Sequence, residues 1–403
     1  MECTTAAVPL ATALAVSPTG LLAAFATVPD PRRRASIAYP LPALLALAVT
    51  AILANQHTPL AIAEWAARQG AAALTPLGFA DGRTPCQSTL HRAFAALCGE
   101  HLAAALGAYF ARGARADPTA RGGQGVAIDG KAQRGRLRHR AGGSPVHART
   151  ACCHDHGVVL AQEAIDRGPD KAEAELTVAP ALLAQVDWRG RVLTGDALFC
   201  QRNLCRQVTR AGGDYPLLVR ENQPTLLRDL ALLFDPSADL PAPLPLLDRR
   251  AATTLERGHG RTHDRRHLVA PTDLTGYLDW PGLAQVFRLE RTWREGGSGH
   301  RHLHYGITSL PPADADAARL LALKRGHWQI ENRLHRVKDV TLGEGRSAIH
   351  AGAGPAVRCL LRDTALGLLH QGGCRAVASR LRALADHPAS ALALVLGHPP
   401  THA

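Results

Sequence analysis

Through the first hundred or so residues, apolar positions recur every three to four residues, and no stretch alternates as a strand would. Residues 21–26 form a short helical pattern that Pro29-Asp30-Pro31 breaks. Residues 41–54 are mostly apolar, with Pro42 in the first turn where a helix tolerates proline, so they predict a buried helix. An amphipathic stretch covers 60–68, and Ser88 is placed as the N-cap of a helix over 91–97. After Asp117-Pro118 and the glycine-rich 121–125 the pattern changes to short apolar runs. Residues 125–129 and 191–196 each predict a buried strand ending in an acid, Asp129 and Asp196. Between them lie strands over 149–153 and 158–165, turned at Asp155-His156-Gly157, and a helix over 179–185 with Pro180 in its first turn. A helix from Arg202 and a strand over 215–219 complete an α/β series. The pattern is irregular over 222–310, with strands at 267–270, 286–292 and 302–308. Helices return at 315–324, with Asp314 as N-cap, and then at 328–338, 355–370 and 375–385. This predicts a helical unit over 1–118, an α/β unit over 119–385 interrupted at about 222–310, and a tail over 386–403.

The chain has 403 residues, enough for two or three domains, and its 46% hydrophobic and 20% charged content is that of an ordinary globular protein. The formal charge of +12 changes the picture, because it favours a polyanionic partner: nucleic acid or an anionic membrane. The apolar run 41–54 is too short to span a bilayer, and residues 8–16 lack the basic start of a signal peptide. The expectation is therefore no membrane association. Nine cysteines, an odd number without a disulfide-like framework, point to a reducing, cytoplasmic setting. Cys152, Cys153, His154 and His156 suggest zinc. However, adjacent cysteines rarely chelate one tetrahedral ion and no Cys-x-x-Cys pair exists, so structural zinc is set aside.

Asp129 and Asp196 then become the candidate chemistry. If their strands are parallel neighbours, the carboxyl ends bring the two acids together where α/β sheets bind ligands. Taken singly, either aspartate could equally be a helix N-cap. Phosphodiester cleavage and transfer suit a group of acids, because two hard divalent ions about 3.5–4 Å apart can clamp both in-line oxygens.

An ordered set of motifs extends this reading. It runs through Leu21-Leu22, Val28-Pro29-Asp30-Pro31-Arg32-Arg33, Ile128-Asp129-Gly130-Lys131 and Thr194-Gly195-Asp196-Ala197-Leu198. It continues with Asn222-Gln223-Pro224-Thr225-Leu226, Gly258-His259-Gly260-Arg261 and Tyr305-Gly306-Ile307-Thr308-Ser309-Leu310. It closes with His327-Trp328-Gln329-Ile330-Glu331-Asn332, then Asp339-Val340-Thr341 with Glu344 and Arg346. In order and spacing the chain resembles bacterial insertion-sequence transposases of the H-repeat-associated type. The resemblance implies a ribonuclease-H-like DDE core, with a mixed five-stranded sheet, flanking helices and a strand-rich insertion before the last acid. It makes Asp129, Asp196 and Glu331 the catalytic and metal-binding acids, holding two Mg²⁺ (or Mn²⁺) ions. It also implies cut-and-paste transposition on double-stranded DNA, at terminal inverted repeats and target, by at least a homodimer in the bacterial nucleoid. The helical N-terminal unit would recognise the ends or pair protomers.

Related transposases carry a Tyr, Arg, Glu and Lys series on the last helix. Glu331 and Lys338 fit it, with Lys338 a candidate phosphate contact, whereas Lys324 and His327 stand in place of Tyr and Arg. Arg220-Glu221 and Asp363 also depart from the pattern. Lys131, Arg134, Arg136, Arg138 and Arg140 cluster just after the first acid and are the leading DNA contacts; Arg32 to Arg34 and Arg257, Arg261, Arg265 and Arg266 are weaker ones. His300, His302 and His304 would share a polar strand face, and Trp328 is expected to pack inside. Stacking of Trp328 on an unpaired base near the cut end is the alternative to its packing inside. Two other readings stay open: a nuclease that cuts without joining, and a non-enzymatic copy that only binds DNA.

Overall fold

The computed structural model describes residues 20–397, except 34, 36, 80–81, 134–145, 166–170, 235–248, 259–260, 272–278, 296–297 and 347–351. The N-terminal unit is helical: α1 (Leu21–Ala26), α2 (Leu41–Leu53), α3 (Pro59–Arg68), α4 (Ala71–Leu74), α5 (Gln87–Ala96) and α6 (Gly99–Gly113). Thr58 caps α3 by accepting from Ala61 N. Every residue of α2 except Pro42 is buried, as expected of a helix that is apolar all round. α5 starts at Gln87, so Ser88 lies inside it rather than capping it.

Strands β1 (Gln124–Gln133), β2 (Val146–Cys153), β3 (Val159–Ile165) and β4 (Arg191–Thr194) form a sheet ordered β3-β2-β1-β4. β1 and β2, and β2 and β3, are antiparallel, whereas β1 and β4 are parallel. α7 (Lys171–Ala184) and α8 (Arg202–Arg210) flank it. Pro180 sits inside α7, not in its first turn, because the helix begins upstream in a run rich in the helix formers Ala, Glu and Leu.

The expected fifth core strand, β5 (Pro216–Val219), meets the sheet through one parallel bridge, Val192 to Asp214. Its ladder runs instead to the insertion, in an antiparallel five-stranded sheet ordered β5-β9-β8-β7-β6. The insertion consists of α9 (Pro224–Phe234), β6 (Arg249–Gly258), β7 (Arg261–Pro271), β8 (Gln285–Glu295) and β9 (Ser298–Thr308). The two sheets are thus joined where β4 and β5 run side by side, and α10 (Ala317–Gly326) covers the apolar face of the insertion sheet. Asp316, not Asp314, caps α10, accepting from Arg319 N at 2.8 Å.

A π-helical stretch, Ile330–His335, follows and leads into α11 (Arg336–Val340). The chain ends in α12 (Gly354–Gln371), α13 (Val377–Asp386) and α14 (Pro388–Leu396). The stretch expected as a tail therefore contains a helix. The cause is its apolar Ala391, Leu392, Val395 and Leu396, which are buried in the same core as α1, α2 and α12. That core also takes in Ala127, Cys152, Ile330 and Leu334, so the N-terminal helices share one core with two of the elements that bear acids. Among the described residues, no single helix is long and apolar enough to cross a membrane.

Gly107 lets α6 lie against β3, since a Cβ there would overlap the Leu160 carbonyl. Gly107→Ala raises helix propensity, yet overpacking of this contact should outweigh it, at roughly 1–3 kcal/mol. Urea unfolding should show a lower midpoint; a higher one would mean that the contact is loose.

Candidate active site

The parallel register Val126 to Leu193 and Ala127 to Thr194 places the carboxyl end of β4 beside the middle of β1, which continues to Gln133, so Asp129 lies within its strand rather than at its end. Asp129 extends beyond this pairing on β1, and Asp196 lies just past the end of β4. The π-helical stretch brings Glu331 over them, and all three acids line one open cleft of about 550 Å³. π-helical turns are rare and often occur at functional sites.

The acids are held differently. Asp129 Oδ1 accepts from Gly130 N at 2.8 Å, and Asp196 Oδ1 from Leu198 N at 3.0 Å. Asp196 thus does cap a short helical turn, and it still faces the cleft. Asn222 Nδ2 donates to Ala197 O at 2.8 Å and Gln223 Nε2 to Cys200 O at 3.0 Å, pinning the turn that carries Asp196.

The nearly buried His335 joins the other two. Its Nδ1 is 3.3 Å from Asp129 Oδ2 and 3.2 Å from Glu331 Oε2. Ligand atoms of Asp129, Glu331 and His335 all lie within 4.8 Å of one another, while Asp196 stands apart across the cleft. Burial works against a charged His335, but hydrogen bonds to the two carboxylates raise its pKa above the ordinary imidazole value. Burial alone would raise Asp129, yet the His335 hydrogen bond and charge bring it below its usual range. The same hydrogen bond lowers Glu331. The site therefore draws positive charge between its acids. Hard carboxylate oxygens are a donor set that fits Mg²⁺ or Mn²⁺.

Sequence reasoning missed the lysine behind Asp196. Lys324 is buried, with Nζ 3.3 Å from Gly195 O; burial lowers its pKa to about 8, while the Asp196 charge opposes the shift. The role of His335 was missed too, although its position one turn from Glu331 was the available signal. Trp328, expected to pack inside, is 61% exposed and lines the cleft with Arg220. It lies on the outer side of the helix, away from the apolar row of Ile330 and Leu334.

Among the proposed DNA contacts, Lys131 is engaged within the protein. Its Nζ donates to Asp339 Oδ2 at 2.6 Å and His335 O at 2.9 Å, tying β1 to the helix that carries Glu331. Arg134, Arg136, Arg138 and Arg140 lie outside the described residues. Lys338 must be corrected: it is 2% exposed, with Nζ 2.8 Å from Asp363 Oδ1 and 3.6 Å from Glu344 Oε1. Its helix face turns into the core, where a lysine persists because acids surround it, and it cannot reach a phosphate. Asp363, which departs from the family pattern, is its partner. Of the residues weighed for zinc, His154 has its Nε2 2.8 Å from Thr194 Oγ1, and burial pushes both Cys152 and Cys153 thiols up.

Residues 120–366 match the family model described as transposase DDE domain, and residues 22–110 match the model described as DDE_Tnp_1-associated. The Escherichia coli (strain K12) protein named "H repeat-associated putative transposase YhhI" is 28% identical over 252 residues, 60% of this chain and 63% of its own length. A Xanthobacter autotrophicus protein encoded in the dhlA 3′ region is 30% identical over 269 residues, 66% of this chain and 86% of its own. The match thus spans less than two thirds of the Escherichia coli relative. A cryo-EM structure of the piggyBac transposase synaptic complex with hairpin DNA aligns over 93% of this chain and 77% of its own. It does so at 11% identity and a TM-score of 0.39, too loose a likeness to inform mechanism.

Lys338→Met should leave Asp363 buried without its cation and cost about 3–5 kcal/mol, whereas Lys338→Met with Asp363→Leu should recover most of that loss. Urea unfolding of the two variants tests this; equal stabilities would show that the pair is solvated.

Proposed function

The chain belongs to the family of transposases with a DDE domain, and from that premise we propose that it moves an insertion sequence by cut-and-paste transposition. The observation that carries the proposal is the convergence of Asp129, Asp196 and Glu331, from three separate elements, on one cleft that attracts positive charge. These three acids would hold Mg²⁺ or Mn²⁺, two ions per site. When bound, such ions would supply Lewis acidity to the attacked phosphate and lower the pKa of the attacking hydroxyl.

The chain's own residues prepare that chemistry. Gly130 N–H and Leu198 N–H fix the two aspartates, and His335 Nδ1 holds a proton between Asp129 and Glu331 until a stronger cation takes its place. Lys324 stabilises the Asp196 carboxylate from behind. Arg220 and the exposed Trp328 ring stand at the rim, where a phosphate and a base of the bound DNA would lie. The substrate would be double-stranded DNA, first at the terminal inverted repeats and then at the target. Each freed 3′-hydroxyl would attack the target directly, with no covalent link between protein and DNA.

Two ends must be joined at once, so the working form would be at least a homodimer in the bacterial cytoplasm. The units at 1–118 and 119–385, the latter with its insertion at 222–310, would divide end recognition or pairing from catalysis. Lys131 would act through its tie to Asp339 rather than by touching phosphate, leaving Arg134, Arg136 and Arg138 as the basic contacts.

Asp129→Ala, Asp196→Ala and Glu331→Ala should each reduce end cleavage by about a thousandfold or more while leaving end binding intact, because each removes a ligand of the hydrolytic centre. Cleavage and band-shift assays on the inverted repeats with Mg²⁺ measure both. An Asp196→Ala protein that still cut at the wild-type rate would end the proposal. Pre-cut ends that never join target DNA would favour a nuclease instead.

A further inference from the structure

The Cys-Cys-His run at 152–154 leaves its histidine without a part in the chemistry above, yet His154 touches every element that carries an acid. It follows β2 and is 8% exposed. Its Nε2 lies 2.8 Å from Oγ1 of Thr194, the last residue of β4 before Gly195-Asp196. The same hydroxyl is 3.5 Å from Nδ1 of His327, one turn before Glu331. His154 N donates to Gly125 O on β1 at 2.9 Å, and Arg333 Nη1, in the stretch that carries Glu331, donates to the carbonyls of His154 at 3.4 Å and Asp155 at 3.0 Å.

The ring is also wedged between two glycines. A Cβ at Gly125, on the strand that carries Asp129, would overlap the imidazole, and so would a Cβ at Gly326, at the end of α10 just ahead of Glu331. Neither glycine is needed for a left-handed turn, as neither has a positive φ. What each supplies is the absence of a side chain where the ring lies. Burial, then the charges of His327, Arg319 and Lys324, push the His154 pKa down to about 3, so the ring is neutral. A neutral ring can be buried here without a counter-ion.

We propose that His154 is a positioning residue, a spacer whose ring sets the gap between β1, β4 and the Glu331 helix and hence the separation of the three acids. The inference rests on reading Asp129, Asp196 and Glu331 as one metal-holding set. A metal pair tolerates little error in ligand spacing, and displacements near 1 Å can cost about a hundredfold in rate. The two glycines and the ring form a single three-part fit, so a change in one should depend on the others.

Mn²⁺ titration calorimetry on the full chain, with thermal unfolding of the metal-free protein, tests this without requiring DNA. His154→Ala should weaken Mn²⁺ binding roughly tenfold, as the loss of a supporting contact behind metal ligands does. Gly326→Ala should weaken it similarly by forcing a methyl group into the same gap. His154→Ala combined with Gly326→Ala should bind more tightly than Gly326→Ala alone, because the methyl then fills the vacated space. If His154→Ala does not fold, Gly326→Ala with and without His154→Asn makes the same comparison. Wild-type affinity in His154→Ala, or strictly additive losses in the double variant, would overturn the inference. Failure of the wild-type protein to bind Mn²⁺ would instead overturn the reading of the three acids and this inference with it.

Discussion

The parallel pairing of β1 with β4 is the constraint on which the rest depends. Parallel strands need a crossover between them, and here that crossover contains β2, β3 and α7. In return, two aspartates far apart in the chain face one cleft, where Glu331 joins them. Asp129 and Glu331, drawn close around His335, repel each other. The arrangement survives because His335 stands between Asp129 and Glu331 and hydrogen-bonds both, and the Lys324 charge lies behind Asp196. A fold that tolerates this concentration of negative charge is prepared for a divalent cation.

Glu331 depends on a second constraint, deeper in the molecule. The helix that bears it continues into Lys338, which is buried against Asp363 and Glu344, with Arg362 3.9 Å from Glu344. Asp363 and Arg362 belong to α12, whose apolar side is packed against α2. The chain's N-terminal helices are therefore mechanically connected to its last acid. Buried ion pairs contribute little net stability, but they penalise any register in which the partners separate. Here that penalty fixes how the Glu331 helix sits on the core.

Much of this was legible in the sequence. Short apolar runs ending in acids identified β1 and β4, and apolar composition all round identified α2 as a buried helix. The motif series around Asp129, Asp196 and Glu331 belongs to the family that the matches establish. What was not legible depends on which way a helix face turns. Lys338 reads as a surface lysine until Asp363 is found beside it, and Trp328 reads as core although it lies exposed on the cleft, in the turn just ahead of the π-helical stretch. Asp314 and Asp316 are equally good caps on paper, and only the start of α10 decides between them. The part played by His154 could not be seen either, because it arises from two glycines and a threonine that the chain brings to His154 from three other segments.

The central claim is that the three acids form one metal-holding centre. Diffraction from crystals soaked in Mn²⁺, using its anomalous signal, tests that most directly. Manganese should appear in the cleft bonded to Asp129, Asp196 and Glu331, with His335 drawn away from at least one carboxylate. Manganese bound elsewhere, or held in the cleft with Asp196 uninvolved, would contradict it.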